Sequence, residues 1–156
     1  MIKKNDKRWL FILLMLGAPL LCNADQNGAE LYQRCAGCHL KTAQGVPAMF
    51  PPLTERMGPL AGKTAGRDYL VMAVNTGLIG NLEINGSSYR NNMMPGQLLE
   101  NADTAAVLNY LLEEFNAKTL PKNWKQFTEA EVALIKKRYP NANAQKVYEL
   151  RKPAFK

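Results

Sequence analysis

Two cysteines and the chain's one histidine stand within five residues, as Cys35-Ala36-Gly37-Cys38-His39. On a helix, residues three apart share a face, so both sulfur atoms reach towards one ligand. C-x-x-C-H is the attachment pattern of c-type haem, in which each thiol forms a thioether with a porphyrin vinyl group. The spacing therefore predicts that Cys35 and Cys38 attach one haem covalently and that His39 binds its iron.

Two other uses of the cysteine pair fit the rest of the sequence poorly. A structural zinc site takes four ligands, and one histidine with Cys35 and Cys38 leaves the set one short. A thioredoxin-like redox pair belongs to a βαβ pattern, whereas no strand alternation persists here. The single histidine also excludes bis-histidine ligation within the chain, so the sixth iron ligand is another residue, water or nothing.

Methionine is a soft sixth ligand that favours ferrous iron and raises the reduction potential. The methionines after residue 24 are Met49, Met57, Met72, Met93 and Met94. Met72 lies on a helix face and is expected in the core, while Met49 and Met57 follow the attachment site too closely to reach the far haem face. Met93 and Met94 lie in a long loop that can close over that face, and both remain candidates at this point.

The N-terminus has the pattern of a secretory signal. Four basic residues lie within the first eight positions, an almost wholly apolar run follows from Trp9 to Leu21, and small residues precede a cleavage position after Ala24. The run is too short to cross ~30 Å of hydrocarbon. We predict a signal peptide over residues 1–24 and secretion to the bacterial periplasm, soluble or peripherally membrane-associated, with no transmembrane span in the mature chain. A lipid anchor on Cys22 is the alternative, disfavoured by the bulky Leu21 before it.

Charge gives little support for nucleic acid as a partner. Removal of residues 1–24 takes away four basic residues and one acidic residue, so the formal net charge falls from +7 to +4. No basic stripe with interleaved aromatic residues remains.

Helical periodicity dominates the chain, and long irregular segments separate the helices. Helices are predicted over residues 26–39, 67–76, 102–117, 128–139 and 142–150. Asn101 is a candidate N-cap for the third of these, and Asn85-Gly86 marks a turn. This predicts an all-α fold with long loops, which are unusual in a small domain unless they wrap a cofactor.

Several short stretches occur in a family-specific order over residues 28–115. They are Gly28-x-x-x-Tyr32-x-x-Cys35-x-x-Cys38-His39, Gly45-Val46-Pro47-Ala48-Met49-Phe50-Pro51-Pro52-Leu53, Asn85-Gly86-x-x-Tyr89, Met94-Pro95 and Ala105-Ala106-Val107-Leu108-Asn109-Tyr110-Leu111. In this order the chain resembles the class I, small soluble-type bacterial cytochromes c, especially cytochrome domains that serve periplasmic dehydrogenases and respiratory chains.

The resemblance implies the cytochrome c fold: short helices and long loops wrapped around one covalently bound haem c. By position, Met94 matches the axial methionine, with Met93 as the alternative. Pro51 matches the proline whose carbonyl accepts a hydrogen bond from the axial histidine, with Pro47 as the alternative. Tyr89 and Arg90 are placed either to reach a haem propionate or on the surface of a turn.

The resemblance also implies a close crossing of the first and last core helices at Gly28, with Tyr32 and Tyr110 packed beside it. We divide the chain into the signal peptide, a monohaem cytochrome c domain over residues 25–118 and a C-terminal helical extension over residues 119–156.

The extension is expected to pack on the core through three apolar residues, Val132, Leu134 and Ile135. Its basic cluster, Lys136-Lys137-Arg138, is either a docking surface or a solvated face.

These features predict a non-enzymatic electron carrier that works between a redox protein donor and acceptor. It is expected to act freely or as the cytochrome subunit of an oxidoreductase, with a dehydrogenase or a membrane oxidase complex as partner. Two alternatives require that the sixth coordination position of the iron is open or can be opened. A peroxidase-like enzyme requires an open distal side with acid–base groups, and a haem-based sensor requires a ligand that displaces Met94.

Overall fold

The computed structural model of the chain describes residues 24–90 and 93–156. Residues 1–23 of the signal peptide predicted over residues 1–24 lie outside the described residues, as does the alternative lipid anchor at Cys22. The described residues contain six α-helices, which form the framework: α1 Ala24–His39, α2 Met57–Ala61, α3 Thr64–Thr76, α4 Asn101–Asn116, α5 Glu129–Arg138 and α6 Ala144–Ala154. None of these described helices is long and apolar enough to cross a membrane.

The described residues are mostly helical, as the all-α prediction expects, but they also contain four short strands that it did not include. The strands are β1 Gly77–Ile79, β2 Leu82–Ile84, β3 Ser87–Tyr89 and β4 Met93–Pro95. Each pair is antiparallel, β1 with β4 and β2 with β3. Three residues are too few to show a period of two, so the sequence gives no signal for these strands.

The turn predicted at Asn85-Gly86 joins β2 to β3. Asn85 has a φ of 51° and Gly86 a φ of 77°. A two-residue hairpin loop with both φ angles positive matches the twist of the strands, and Asn-Gly is its favoured sequence. The local chemistry of the pair is therefore enough to place the turn.

Helices α1 and α4 cross at Gly28, as the resemblance implied. A Cβ atom on Gly28 would lie 2.6 Å from the carbonyl oxygen of Ala106 and 2.7 Å from the Cβ of Tyr110. The ring centroids of Tyr32 and Tyr110 are 5.7 Å apart beside the crossing. Because only glycine leaves room for this approach, the residue at position 28 sets the distance between the two helices.

The start of α4 differs from the prediction that Asn101 caps it. Glu100 is the N-cap and provides no side-chain cap, and Asn101 is the first helical residue. Thr104 hydrogen-bonds back to the carbonyl oxygen of Glu100 at 2.8 Å, and its hydroxyl accepts a 3.0 Å bond from the buried amide of Asn75 on α3. A buried contact with another helix therefore accompanies the start of α4, which propensity alone could not reveal.

The extension packs on the core with α5 and α6. Val132 and Ile135 are buried, with 0% and 1% of their surfaces exposed, whereas Leu134 is 60% exposed. The prediction for Leu134 is wrong because residues 132 and 135 share one face of α5 and residue 134 points away from it.

Two members of the Lys136-Lys137-Arg138 cluster make polar contacts with residues of the core. Lys136 Nζ donates to the carbonyl oxygen of Leu99 at 2.8 Å, and Arg138 forms an ion pair with the buried carboxylate of Asp68. Lys137 is exposed. Most of this charge therefore serves to hold the extension in place.

Candidate haem site

The last turn of α1 brings the two thiols and the imidazole to one cavity. Cys35 is half-buried, Cys38 is exposed and His39 is 6% exposed, and all three line the cavity. The helix ends directly afterwards because Leu40 takes a φ of 65°. The hydroxyl of Tyr32 donates to the carbonyl oxygen of Leu40 at 2.9 Å and holds this end of the helix.

His39 is held in one tautomer by the following loop. Its Nδ1 lies 2.8 Å from the carbonyl oxygen of Pro51. A carbonyl oxygen only accepts, so Nδ1 carries the proton and Nε2 keeps a lone pair for a metal. Burial lowers the pKa of His39, and the hydrogen bond to Pro51 opposes that shift.

The loop reaches His39 through a tight turn at Gly45. Gly45 has a φ of 64°, and a Cβ there would lie 2.7 Å from the carbonyl oxygen of Pro51. Its amide donates to the carbonyl oxygen of His39 at 3.0 Å. The carbonyl that contacts the imidazole belongs to Pro51 and not to Pro47.

The cavity is lined mainly by apolar side chains from several elements. Its aliphatic wall comprises Leu53, Leu70, Val74, Leu78, Leu82, Ile84, Val107, Leu108 and Leu111. Such a wall suits a large apolar ligand and excludes water from it.

The two adjacent methionines of β4 differ in exposure. β4 pairs with β1 so that Met94 lies opposite Leu78. Met94 is half-buried and lines the cavity with His39, whereas Met93 is 66% exposed. Successive side chains of a strand point to opposite faces, so when β4 pairs with β1, Met94 faces the cavity and Met93 faces solvent.

The remaining methionines take three different positions. Met72 is 3% exposed and belongs to the hydrophobic core, as predicted. Met57 lines the cavity, which its position in the sequence did not suggest. Met49 is 56% exposed and lines an adjoining cavity with Cys38 and Met93.

Tyr89 is inside the protein and not on the surface of a turn. It is 3% exposed and lines the adjoining cavity, which shares His39 and Met94 with the first. The neighbouring Arg90 is 70% exposed and lies 3.6 Å from Glu83. Tyr89 is therefore the residue of this pair that faces the site.

Four further residues of the cavity were not singled out from the sequence. They are Arg56, Tyr69, Arg151 and Phe155. Arginines at positions 56 and 151 are far apart in the chain and belong to no motif, so no sequence signal links them. Their side chains meet because α6 folds back against α3.

The donor set fits a haem better than a directly bound metal ion. Among the side chains that the structure describes, no three His, Cys, Asp or Glu residues are grouped to hold a metal ion. Two thiols, a neutral imidazole and a thioether instead border one apolar space. A family model for cytochrome c matches residues 26–114.

The chain belongs to the cytochrome c family. It is 37% identical over 130 residues to a cytochrome c-552 of Thermus thermophilus, with 83% of this chain and 86% of that protein covered. A second Thermus thermophilus cytochrome c-552 is 36% identical over 110 residues, with 70% and 84% covered. The predicted class I resemblance is confirmed.

Membership of this family defines the cofactor and the general activity. The chain binds haem c covalently and is a c-type cytochrome that transfers electrons. It therefore works with redox partners.

Proposed function

We propose that this cytochrome carries single electrons between redox proteins of the bacterial periplasm. In this proposal Cys35 and Cys38 attach the haem, and His39 and Met94 bind its iron. The observation that carries the proposal is the fixed tautomer of His39, whose metal-binding nitrogen belongs to a ring that shares an apolar cavity with the Met94 thioether.

The side chains around the cavity have separate tasks in electron transfer. Bound haem supplies a one-electron iron couple. The thioether of Met94 favours the ferrous state, while the carbonyl of Pro51 orients the imidazole of His39 and raises its basicity. The aliphatic wall excludes water and makes the extra charge of the ferric state less favourable.

Electrons are proposed to enter and leave where Cys38, Met49 and Met93 reach the surface. All three are exposed, and they border the cavity that also contains His39. A small apolar rim suits a short-lived complex, in which the partner must dissociate after each transfer. Tyr89 lies deeper in the same cavity, and we propose that it contacts a haem propionate.

The signal-peptide pattern supports the proposed location, and the resemblance to cytochrome domains of periplasmic dehydrogenases and respiratory chains supports the proposed partners. We propose cleavage after Ala24, a cytochrome domain over residues 25–118 and a helical extension over residues 119–156. The protein acts either freely or as a subunit of an oxidoreductase, with a periplasmic dehydrogenase or a membrane oxidase complex as partner.

Replacing each β4 methionine tests the ligand assignment. We expect Met94→Ala to lose the sulfur-to-iron charge-transfer signal of the ferric protein and to bind carbon monoxide rapidly when reduced. Met93→Ala is the matched control, one residue away and on the exposed side, and should keep the wild-type spectrum. Survival of the signal in Met94→Ala, or its loss in Met93→Ala, contradicts the assignment.

The carrier role is tested with the wild-type protein. Its native form should be found in the periplasmic fraction with a mass equal to residues 25–156 plus one haem. The reduced protein should be oxidised rapidly by membranes of the native host that contain a terminal oxidase. Rapid reaction of the resting protein with peroxide, or rapid carbon monoxide binding, would instead support the enzyme or sensor alternatives.

A further inference from the structure

A cluster of two arginines and two aromatic rings forms one wall of the haem cavity. The guanidinium carbon of Arg56 lies 5.2 Å from the ring centroid of Phe155, and that of Arg151 lies 4.6 Å from the same ring. The ring of Tyr69 meets Phe155 edge-on, with 6.1 Å between centroids. We call Arg56, Tyr69, Arg151 and Phe155 the arginine cluster.

The arginine cluster brings two positive charges to the wall of an apolar cavity. The Nε of Arg56 is buried and has no hydrogen-bond partner among the described residues, and its Nη1 makes a 3.3 Å bond to the amide oxygen of Asn85. No Asp or Glu is found among the described residues that line the cavity.

The neighbourhood of the Arg56 guanidinium group is electrostatically unfavourable. Burial lowers the pKa of Arg56, and the charge of Arg151 lowers it further. Half-buried charges normally have a partner of opposite sign, because removing them from water costs more than apolar contacts return. The cluster therefore has the chemistry of an anion site that opens into an apolar cavity.

We propose that Arg56 and Arg151 bind the haem propionates, so that helix α6 of the C-terminal extension is part of the haem site. A guanidinium group donates two parallel hydrogen bonds to one carboxylate, and haem presents two carboxylates on one edge of an apolar ring. The inference depends on the covalently bound haem and not on the periplasmic partners or the identity of the sixth ligand.

This arrangement links the extension to the cofactor. Arg56 immediately precedes α2, whereas Arg151 lies in the last turn of α6. Charges from two distant parts of the chain thus converge on the same edge of the haem. Helix α6 also packs on the core through Val147, which is 0% exposed, so the propionate contact adds an electrostatic link to an existing apolar one.

A pair of charge-removing variants in α6 tests the proposal. Arg151→Gln removes a charge from the cavity, and Lys152→Gln removes an equal charge from the next position, which is exposed and does not line the cavity. We expect the reduction potential to fall in Arg151→Gln, because an uncompensated propionate stabilises ferric iron. The potential of Lys152→Gln should stay close to that of the wild type, and equal shifts in the two variants would contradict the proposal.

Infrared difference spectra report the propionates directly. With the haem carboxylates labelled with ¹³C, their bands should shift in Arg56→Gln and Arg151→Gln and remain unchanged in Lys152→Gln. Arg151→Lys, which keeps the charge, should restore most of the potential but not the wild-type band. Unchanged carboxylate bands in both glutamine variants at Arg56 and Arg151 would overturn the assignment.

A measurement on the wild-type protein removes any dependence on the folding of variants. In the reduced, diamagnetic state, we expect nuclear Overhauser effects between propionate methylene protons and the ring protons of Phe155 or Tyr69. Their absence overturns the proposal. The charge-transfer signal attributed to Met94 should persist in Arg151→Gln, so failure of this inference and failure of the ligand assignment give different results.

Discussion

Gly77 lies directly against the backbone of Met94. A Cβ atom at position 77 would collide with the carbonyl oxygen of Met94, and Gly77 also has a φ of 87°, which disfavours other residues. The glycine both ends α3 and starts the strand that pairs with β4. The position of the proposed sulfur ligand therefore depends on a residue without a side chain.

Gly77→Ala should displace β4 and with it the Met94 thioether. We expect loss or weakening of the sulfur-to-iron charge-transfer signal, together with a loss of stability of about 2–4 kcal/mol from the strained φ and the collision. Ferric optical spectra and denaturant unfolding measure the two effects.

Gly86→Ala is the matched control for this prediction. Gly86 also has a positive φ, of 77°, but a Cβ there would have no described atom within 4 Å. It should lose only about 1 kcal/mol and keep the charge-transfer signal. Equal spectra for the two variants would show that the close contact does not position Met94.

Gly28→Ala should separate α1 from α4. The added Cβ would lie 2.6 Å from the carbonyl oxygen of Ala106, and relief of that overlap must move a helix backbone. We expect a loss of about 2–4 kcal/mol in the free energy of unfolding. Gly37→Ala lies in the same helix with no described atom within 4 Å of its Cβ, so it should be neutral or slightly stabilising. Equal destabilisation by both variants would contradict the role of the crossing.

The stability of the protein should fall at high pH partly through Tyr32. Burial raises the pKa of Tyr32 from 10.0 to about 12. A raised pKa means that the fold favours the neutral phenol, so this contribution is complete below pH 10 and is lost as the pH rises towards 12. The loss is roughly 2 kcal/mol by about pH 12.

Tyr32→Phe removes this titration. At neutral pH the variant should be about 1 kcal/mol less stable, because the bond to the carbonyl oxygen of Leu40 is lost. Between pH 10 and 12 its stability should fall less steeply than that of the wild type. Unfolding curves across this range test the difference. A wild-type slope in Tyr32→Phe would refute the prediction.

Arg67 should be a principal anchor of the extension. It makes a bidentate ion pair with Glu131, in which Nε and Nη2 lie 2.5 and 2.6 Å from the two carboxylate oxygens. Its guanidinium carbon lies 3.7 Å from the ring centroid of Phe127. Its side chain is 15% exposed. We expect Arg67→Met to cost about 2–4 kcal/mol, because a largely buried pair is broken.

The control is Arg90→Met. In the wild type, Arg90 lies 3.6 Å from Glu83, and the two side chains are 70% and 64% exposed. The variant should change the free energy of unfolding by less than about 0.5 kcal/mol. Hydrogen exchange of α5 should accelerate only in Arg67→Met. Comparable effects of the two variants would show that the extension is held by apolar packing alone.

Features that depend only on neighbouring residues could be predicted from the sequence. The chemistry of Cys35, Cys38 and His39 needs only their spacing on one helix, and the Asn85-Gly86 turn needs only two residues that tolerate positive φ. The helices were also predictable, because an apolar face repeats within each of them. Their exact starts were not, as Asn101 shows: a buried hydrogen bond between α3 and α4 accompanies the start of that helix.

Which residues from distant segments meet could not be predicted and is known from the folded structure. Strand pairing separates Met94 from Met93, a tight turn brings the carbonyl of Pro51 rather than that of Pro47 to His39, and the return of α6 places Arg151 in the cavity. The physical reason is that local sequence preferences act over a few residues. These contacts instead depend on packing and burial across the whole fold.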